Sequence, residues 1–525
     1  MAEFVTPEVW TVPGVLALRR HADANLEALV TFEESATYAE LDERSGDLAA
    51  RFAAAGVAGG DRVGLLAPNG IEWASLALGI MRMGAVLVPL STLLRPPELL
   101  AQLRIASVTH LITVPEFRQR RYLEDLETAA PGLIQTLRGG ERHADLPHFR
   151  SVWLIDDLPT RRVEPDVLAE LEAKVMPTHD LVILFTSGSR GAPKGVIHTH
   201  HAALHAVASG LEARCIRPAE RLYIPMPFFW TGGFGQGLVT ALVAGATLLT
   251  EAEPKPARTL AFLERERATL FRGWPDQAVR LAADPSFART DLSSLRDGSL
   301  GAVLPPERRP APGSRANLFG MTETFGPYSG SRLDRDLPSG KSGSCGRPFE
   351  GIEVRIVDPE TQLEVEPDDK GEIWVRGENL LRGICGWPHD AVFTADGFYR
   401  TGDVGRIDEE GYLWTEGRLD DMVKVKGATV YPSEVEAALR AVVDVQQAHV
   451  IDVASAEGQR EIAALVISEA DLATIRDSVR SRLSAFKVPT RWLITSRDVA
   501  PLLASGKVDK AALQTLLESE GSSGP

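Results

Sequence analysis

Between residues 35 and 110 the apolar positions change period and then change back. TYAELDERSGDLAARFAAAG, from Thr37 to Gly56, spaces its apolar residues as a helix does, with Thr37 as the N-cap and Gly56 as the stop. RVGLLAPN then reads as a short buried strand, and IEWASLALGIMRMGAVLVPL as a helix, a glycine break and another strand. Such alternation constrains the fold strongly, because strands joined by helices lie parallel and the helices must cover the sheet. LVILFTSGS is a further strand, running into a Gly-rich turn, and helical character resumes from His200. The expected fold class is α/β, with a large multi-layer N-terminal domain carrying parallel-rich sheets.

From about Gly351 the texture changes. GIEVRIVD and GEIWVRG alternate as half-buried strands do, PDDKG makes a turn between them, and another strand-like run surrounds YLWTEGR. From Pro432 the chain turns helical (SEVEAALRAV), then strand, then helical again (IRDSVRSRL), the size of a small α+β domain. A boundary at the charged segment GRLDD divides the chain into residues 1–417 and 418–525. Length alone, 525 residues, predicts about three or four units.

The net charge of −16 excludes a generalised nucleic-acid surface, which needs clustered Lys and Arg. Cys215, Cys345 and Cys385 are odd in number and far apart, which argues against a disulfide framework or a thiolate zinc site and fits a reducing compartment. MAEFVTPEVW has neither the basic start nor the apolar core of a signal peptide. The longest apolar run, LVTALVAGATLLT, falls short of the roughly 20 residues a membrane span needs. A cytoplasmic protein is expected.

Four clusters carry chemistry. FTSGSRGAPKGVIHTHH, residues 185–201, departs from the phosphate loop of kinases and ATPases, because Lys194 follows Pro193 and precedes Gly195. Its physics is related: glycines bring backbone N–H groups to an anion, Thr186, Ser187 and Ser189 offer hydroxyls, and Lys194 supplies charge. The alternative is a surface turn between strand and helix. NLFGMTETFG sets Thr322, suited to phosphate, beside Glu323, suited to Mg²⁺, or else is simply a helix start. YRTGDVGRIDEEGYLWTEGRLDDMVKVKG holds Asp403 and Arg418 after glycines and ends in a basic loop; a carboxylate such as Asp403 suits ribose hydroxyls, and two polar hairpin turns are the alternative. SGKVDK presents Lys507 near the chain end. The histidines of HTHHAALH place His201 and His205 on one helical face, but no acidic partner follows in metal-binding form, and polar residues at a helix start are the simpler account.

In this order and spacing the clusters resemble the class I adenylate-forming superfamily: acyl-CoA synthetases, adenylation domains of peptide synthetases and luciferases. The resemblance runs from about residue 12 to 515 and rests on FTSGSRGAPKG, FGMTE, TGD, GRLDD and SGK. GVAGGDRVGLLAPNGIEW, GAVLVPLSTLLRPPEL, GAVLPPE and FKVP echo it more weakly. It implies two half-reactions: a carboxylate attacks the α-phosphorus of MgATP to give acyl-AMP and pyrophosphate, and the thiol of CoA then takes the acyl group. Under it, Thr186, Ser187, Gly188, Ser189, Arg190, Gly191 and Lys194 hold phosphate. Phe319 stacks on adenine ahead of Gly320, Gly301 and Ala302 line the adenine slot, Thr322 touches the α-phosphate and Glu323 binds Mg²⁺. Asp403 and Arg418 take the ribose, and Lys507 stabilises charge as the acyl–phosphate bond forms. The small domain is implied to be mobile, turning about Asp420 to exchange Lys507 for a CoA-side loop of Lys424, Lys426 and Gly427.

Several positions depart from the pattern. Arg190 stands for a threonine, Trp230 for the histidine in PFFWTGG, Leu318 for a glycine, Trp274 for a smaller residue and Leu503 for a threonine. Phe229, Trp230, Gly233, Trp274 and Leu318 are assigned to the acyl pocket, where bulk favours a medium-chain, branched or cyclic acid. The leading reading is an AMP-forming acyl-CoA ligase using ATP, Mg²⁺ and CoA, possible as a homodimer. The rivals are a stand-alone acyl-AMP ligase that delivers to an acyl carrier protein, and a nucleotide-binding module without catalysis.

Overall fold

The computed structural model describes residues 9–186, 193–419, 423–425, 428–430, 432–454, 460–480, 482–483, 487–495, 501, 508–520 and 522–523. These fall into two compact units: the chain to Glu353 with Arg376–Tyr399, and Val354–Val375 with the chain from Arg400 on.

The first unit is built on three sheets. The largest has seven strands in the order Gly383–Ile384, Lys194–Thr199, Asp180–Thr186, Val86–Pro89, Arg62–Leu66, His110–Thr113 and Ser151–Leu154. Its last five strands are mutually parallel, and its first two pair antiparallel. A five-stranded sheet runs Leu270–Phe271, Arg221–Tyr223, Thr247–Leu249, Glu27–Val30 and Ser35–Thr37, parallel except for the final pair. Phe319–Met321, Gly326–Gly330 and Arg347–Pro348 make a small antiparallel sheet.

The two large sheets share one core. Leu29 and Leu248 of one and Val63, Leu87 and Val182 of the other belong to a single buried cluster around the helix Ile71–Arg82. Every residue of that helix except Glu72 is buried, which explains an apolar sequence with no polar face. Its terminal Arg82 is buried too, and donates to Asp42 O at 2.8 Å, Ser45 Oγ at 2.9 Å and Glu172 Oε1 at 2.5 Å. A shared core is why length overestimated the units: two sheets cover each other instead of closing separately.

The helix Tyr38–Ala54 starts where its sequence requires. The Thr37 side chain accepts from Glu40 N at 3.2 Å, and Glu40 Oε2 accepts from Thr37 N at 2.8 Å, a complete capping box. Thr37→Ala is expected to lower stability by about 1 kcal/mol, read as a shift of the urea midpoint at constant m-value.

The second unit holds most of a four-stranded sheet of Ile352–Val357, Gly371–Gly377, Tyr399–Ile407 and Leu413–Arg418, and a hairpin of Val423–Val425 with Ala428–Val430. A further sheet runs Val445–Ala454, Arg460–Ser468, Arg491–Thr495 and Ser522–Ser523. Strand alternation sorts its residues onto two faces. Ile462, Ala464 and Val466 pack on one face with Val435 and Leu439 of helix Pro432–Arg440 and Ile475 of helix Leu472–Arg480. Ala463, Leu465 and Ile467 pack on the other with Leu513 and Leu517 of helix Lys510–Glu520. Among the described residues no helix is long and apolar enough to cross a membrane.

Candidate active site

The Gly/Ser-rich loop connects two antiparallel strands, Asp180–Thr186 and Lys194–Thr199, with Thr186 opposite Lys194. A turn from strand to helix is therefore corrected to a hairpin. KGVIHT has four buried positions, enough to add a return strand before the helix His200–Ser209 begins at its N-cap Thr199. Ser187, Gly188, Ser189, Arg190 and Gly191 lie outside the described residues. The Lys194 ammonium sits over the ring of Trp387, 4.8 Å from its centroid, a cation–π contact absent from the sequence reading.

The Thr-Glu cluster forms a tight turn, not a helix start. Thr322–Thr324 is one 3-10 turn joining the strands Phe319–Met321 and Gly326–Gly330, and it exits through Phe325 at φ 56°. That left-handed conformation is unusual for a side-chain-bearing residue. Two polar side chains, the buried His198 and the half-buried Gln236, hold the turn. His198 Nε2 lies 2.7 Å from Thr322 O, and Gln236 Nε2 donates to Phe325 O at 3.0 Å. Gln236 Oε1 in turn accepts from the buried Arg214. Within the turn, the Thr324 hydroxyl donates to Gly326 O at 2.7 Å. Glu323 is buried; its Oε1 accepts from the Tyr399 hydroxyl at 3.3 Å, and its carbonyl accepts from Leu381 N at 2.8 Å. Phe319 is half-buried, edge-on to Tyr328 at 5.6 Å between centroids. A Cβ on Gly320 would overlap the backbone of Gly326 and Pro327 across the hairpin.

PFFWTGG, assigned from the sequence to the acyl pocket, comes to the same place. Asn69 braces it: Nδ2 donates to Met226 O at 3.0 Å and Thr250 Oγ1 at 3.1 Å, while Oδ1 accepts from Phe228 N at 2.7 Å. Phe229 packs edge-on to Trp230 at 5.2 Å, and Trp230 meets Trp274 at 5.8 Å. Trp274 is 43% exposed, at the start of the helix Pro275–Ala282, which packs against the turn Gly301–Val303 that contains Ala302. Leu318 sits against Gly330, where its Cδ2 would be 2.6 Å from an added Cβ. A Cβ on Gly233 would overlap Pro227 O, so the chain turns there only as glycine. The next residues, Phe234–Val239, form a π-helix, a rare geometry that presents Gln236 to the turn. Thr231, beside Trp230, places its hydroxyl 3.5 Å from that of Thr322.

In the second unit, Asp403 and Arg418 face each other across the hairpin of Tyr399–Ile407 with Leu413–Arg418. Arg418 Nη1 donates to Asp403 Oδ1 at 3.2 Å and to Thr401 O at 2.8 Å. The two residues read together as ribose ligands also form an ion pair with each other. Lys424 belongs to a strand paired with Ala428–Val430 instead of to a loop. Asp420, Lys426, Gly427 and Lys507 lie outside the described residues.

The histidines have distinct fates. His198 and His200 are buried, and burial holds their imidazoles neutral, lowered to about 4 and about 3. His200 Nδ1 accepts from Val12 N at 3.1 Å. His201 and His205 stack at 5.4 Å and both reach Glu378, at 3.1 and 3.5 Å. Their acidic partner is remote in sequence, and among the described residues no group of three or more His, Cys, Asp or Glu could hold a metal. His198 had a legible signal, a polar residue inside an apolar strand. Gln236 and Tyr399 had none, because their partners come from distant segments.

The order and arrangement of these segments match an adenylate-forming enzyme. The chain belongs to the AMP-binding enzyme family, whose model matches residues 18–385. It is an AMP-forming acid–thiol ligase by class. A 3-[(3aS,4S,7aS)-7a-methyl-1,5-dioxo-octahydro-1H-inden-4-yl]propanoyl:CoA ligase of Rhodococcus jostii is 31% identical, covering 97% of this chain and 99% of that one. A mitochondrial medium-chain acyl-CoA ligase of Rattus norvegicus is 28% identical, covering 94% of this chain and 85% of its own. The crystal structure of an anthranilate CoA ligase with anthranoyl-AMP superposes with a TM-score of 0.79 at 25% identity, covering 97% of this chain and 98% of that one.

Proposed function

We propose that this enzyme joins a medium-chain, branched or cyclic carboxylic acid to AMP and passes the acyl group to the thiol of CoA. The observation that carries the reading is the approach of Thr231, in the acyl motif, to Thr322 in the Thr-Glu turn, 3.5 Å between hydroxyls. The acid and the α-phosphate must meet within bonding reach, and two motifs 91 residues apart converge at that point.

In the first step a carboxylate oxygen bonds to the α-phosphorus and the bond to the leaving pyrophosphate breaks. No general base is required, since the acid is already ionised at neutral pH. Thr322 orients the α-phosphate, and the Thr186–Lys194 hairpin holds the departing phosphates. Phe319, Gly320, Gly301 and Ala302 form the adenine slot, and the Asp403–Arg418 pair takes the ribose hydroxyls. Glu323 fits Mg²⁺, which takes few carboxylates and fills its remaining positions from phosphate and water. In the second step the thiol sulfur bonds to the acyl carbon, AMP leaves, and the thiol proton passes to solvent. The small domain carries the two steps in turn, hinged at Asp420, with Lys507 for the first and the segment around Lys424–Gly427 for the second.

The size preference follows from the bulk of Trp230 and Trp274. The relatives' named acids, one medium-chain and one a bicyclic propanoate, agree with it. Incubation with ATP, Mg²⁺, CoA and a panel of acids, followed by AMP release and thioester mass, tests the reading. Thioester is expected with medium or cyclic acids and little with palmitate. AMP without CoA thioester would transfer the role to a carrier-protein ligase, and no AMP with any acid would leave a binding module. Trp230→Ala is expected to raise kcat/KM for palmitate by about 10- to 100-fold relative to the best medium-chain or cyclic acid.

A further inference from the structure

We propose that His198 is the positioning residue of the Thr322–Thr324 turn, its Nε2–H fixing the Thr322 carbonyl and thereby the direction in which Thr322 and Glu323 present their oxygens. The inference rests on the reading of that turn as the nucleotide-phosphate and Mg²⁺ site.

Four observations converge on it. A carbonyl only accepts, so the 2.7 Å contact requires His198 to be the Nε2–H tautomer. His198 is fully buried, and its Nδ1 has no hydrogen-bond partner among the described residues. A residue kept for packing alone would avoid that orphaned nitrogen; leucine would fill the same space without desolvating it. The ring of Phe325, the residue in the left-handed conformation, stands edge-on to His198 at 5.0 Å between centroids. The same side chain therefore holds the first carbonyl of the turn and supports its strained exit. Finally, His198 sits on the strand Lys194–Thr199, which leaves the phosphate-type loop directly. One rigid strand ties that loop to the Thr-Glu turn, while Gln236 fixes the other end of the turn at Phe325 O. His198 reaches no substrate in this arrangement; it acts through Thr322.

The test compares wild type with His198→Leu, which keeps the bulk, and His198→Gln, whose side-chain N–H can replace Nε2–H. Acid-dependent ATP–pyrophosphate exchange in His198→Leu is expected to lose about 10- to 100-fold in kcat with KM for the acid little changed, and His198→Gln to recover most of it. Amide hydrogen exchange over residues 317–326 should quicken in His198→Leu and return in His198→Gln, with Tyr38–Ala54 unchanged in both. Equal kcat and equal exchange in the two variants would overturn the proposal. If wild type supports no exchange of pyrophosphate with any acid, the functional reading fails, and the amide exchange still decides the role of His198. If His198→Leu does not fold, the ¹⁵N spectrum of wild-type His198 decides: an Nδ1–H tautomer excludes the donor role.

Discussion

Lys507→Ala is expected to lower acid-dependent ATP–pyrophosphate exchange by about 10²- to 10³-fold while leaving thioester formation from supplied acyl-AMP within a few-fold of wild type. The asymmetry follows from charge. In the adenylating transition state a carboxylate approaches an already anionic triphosphate, and negative charge builds on the equatorial and bridging oxygens. A cation aimed there lowers the barrier more than it stabilises the ground state, so its removal acts on kcat. The second half-reaction joins a thiol to an activated acyl carbon and releases AMP, and it makes no such demand on that cation. Lysine, a compact charge on a flexible stem, suits a group that serves one step and withdraws for the next. Equal loss in both half-reactions would remove Lys507 from its assigned step.

Gly320→Ala is expected to cost about 100-fold in AMP release and to lower the melting temperature, whereas Gly301→Ala should leave both nearly unchanged. Both glycines belong to the proposed adenine slot, but their surroundings differ. A Cβ on Gly320 would overlap backbone atoms of Gly326 and Pro327, which cannot rotate away as a side chain can. The hairpin of Phe319–Met321 with Gly326–Gly330 must open to accept it, displacing Phe319 on one side and the Thr-Glu turn on the other. A Cβ on Gly301 would find Pro310 Cδ at 3.3 Å, a close approach that a small shift relieves. A Gly320→Ala enzyme with wild-type turnover would show that the turn does not depend on this hairpin.

The helix Tyr38–Ala54 and the strands around Ile71–Arg82 were legible because their signals are local: a capping box, a glycine stop, an apolar run bounded by turns. The return strand Lys194–Thr199 was not, since a glycine-rich loop followed by mixed residues resembles a strand-to-helix turn until a neighbouring strand supplies hydrogen bonds. The motifs that place the chain in its family were legible for the same reason as the helix caps. Asp403 and Arg418 directly follow glycines, and Thr322 and Glu323 lie within three residues of Gly320. Their partners were not, because nothing near Thr322 in sequence names His198, Thr231 or Gln236.

The sequence by itself determined the alternating α/β framework, the separation of this loop from kinase-type phosphate loops by the position of Lys194, and membership of the adenylate-forming class through the order of its motifs. Each is set by local spacing and composition. Only the tertiary structure decided that Asp403 and Arg418 are one ion pair, that Trp230 and Trp274 meet, and that His198 and Gln236 grip the two ends of the Thr-Glu turn. Those contacts join segments far apart in the chain, and a buried polar atom finds its partner only when the packed core has excluded water and brought that partner within reach.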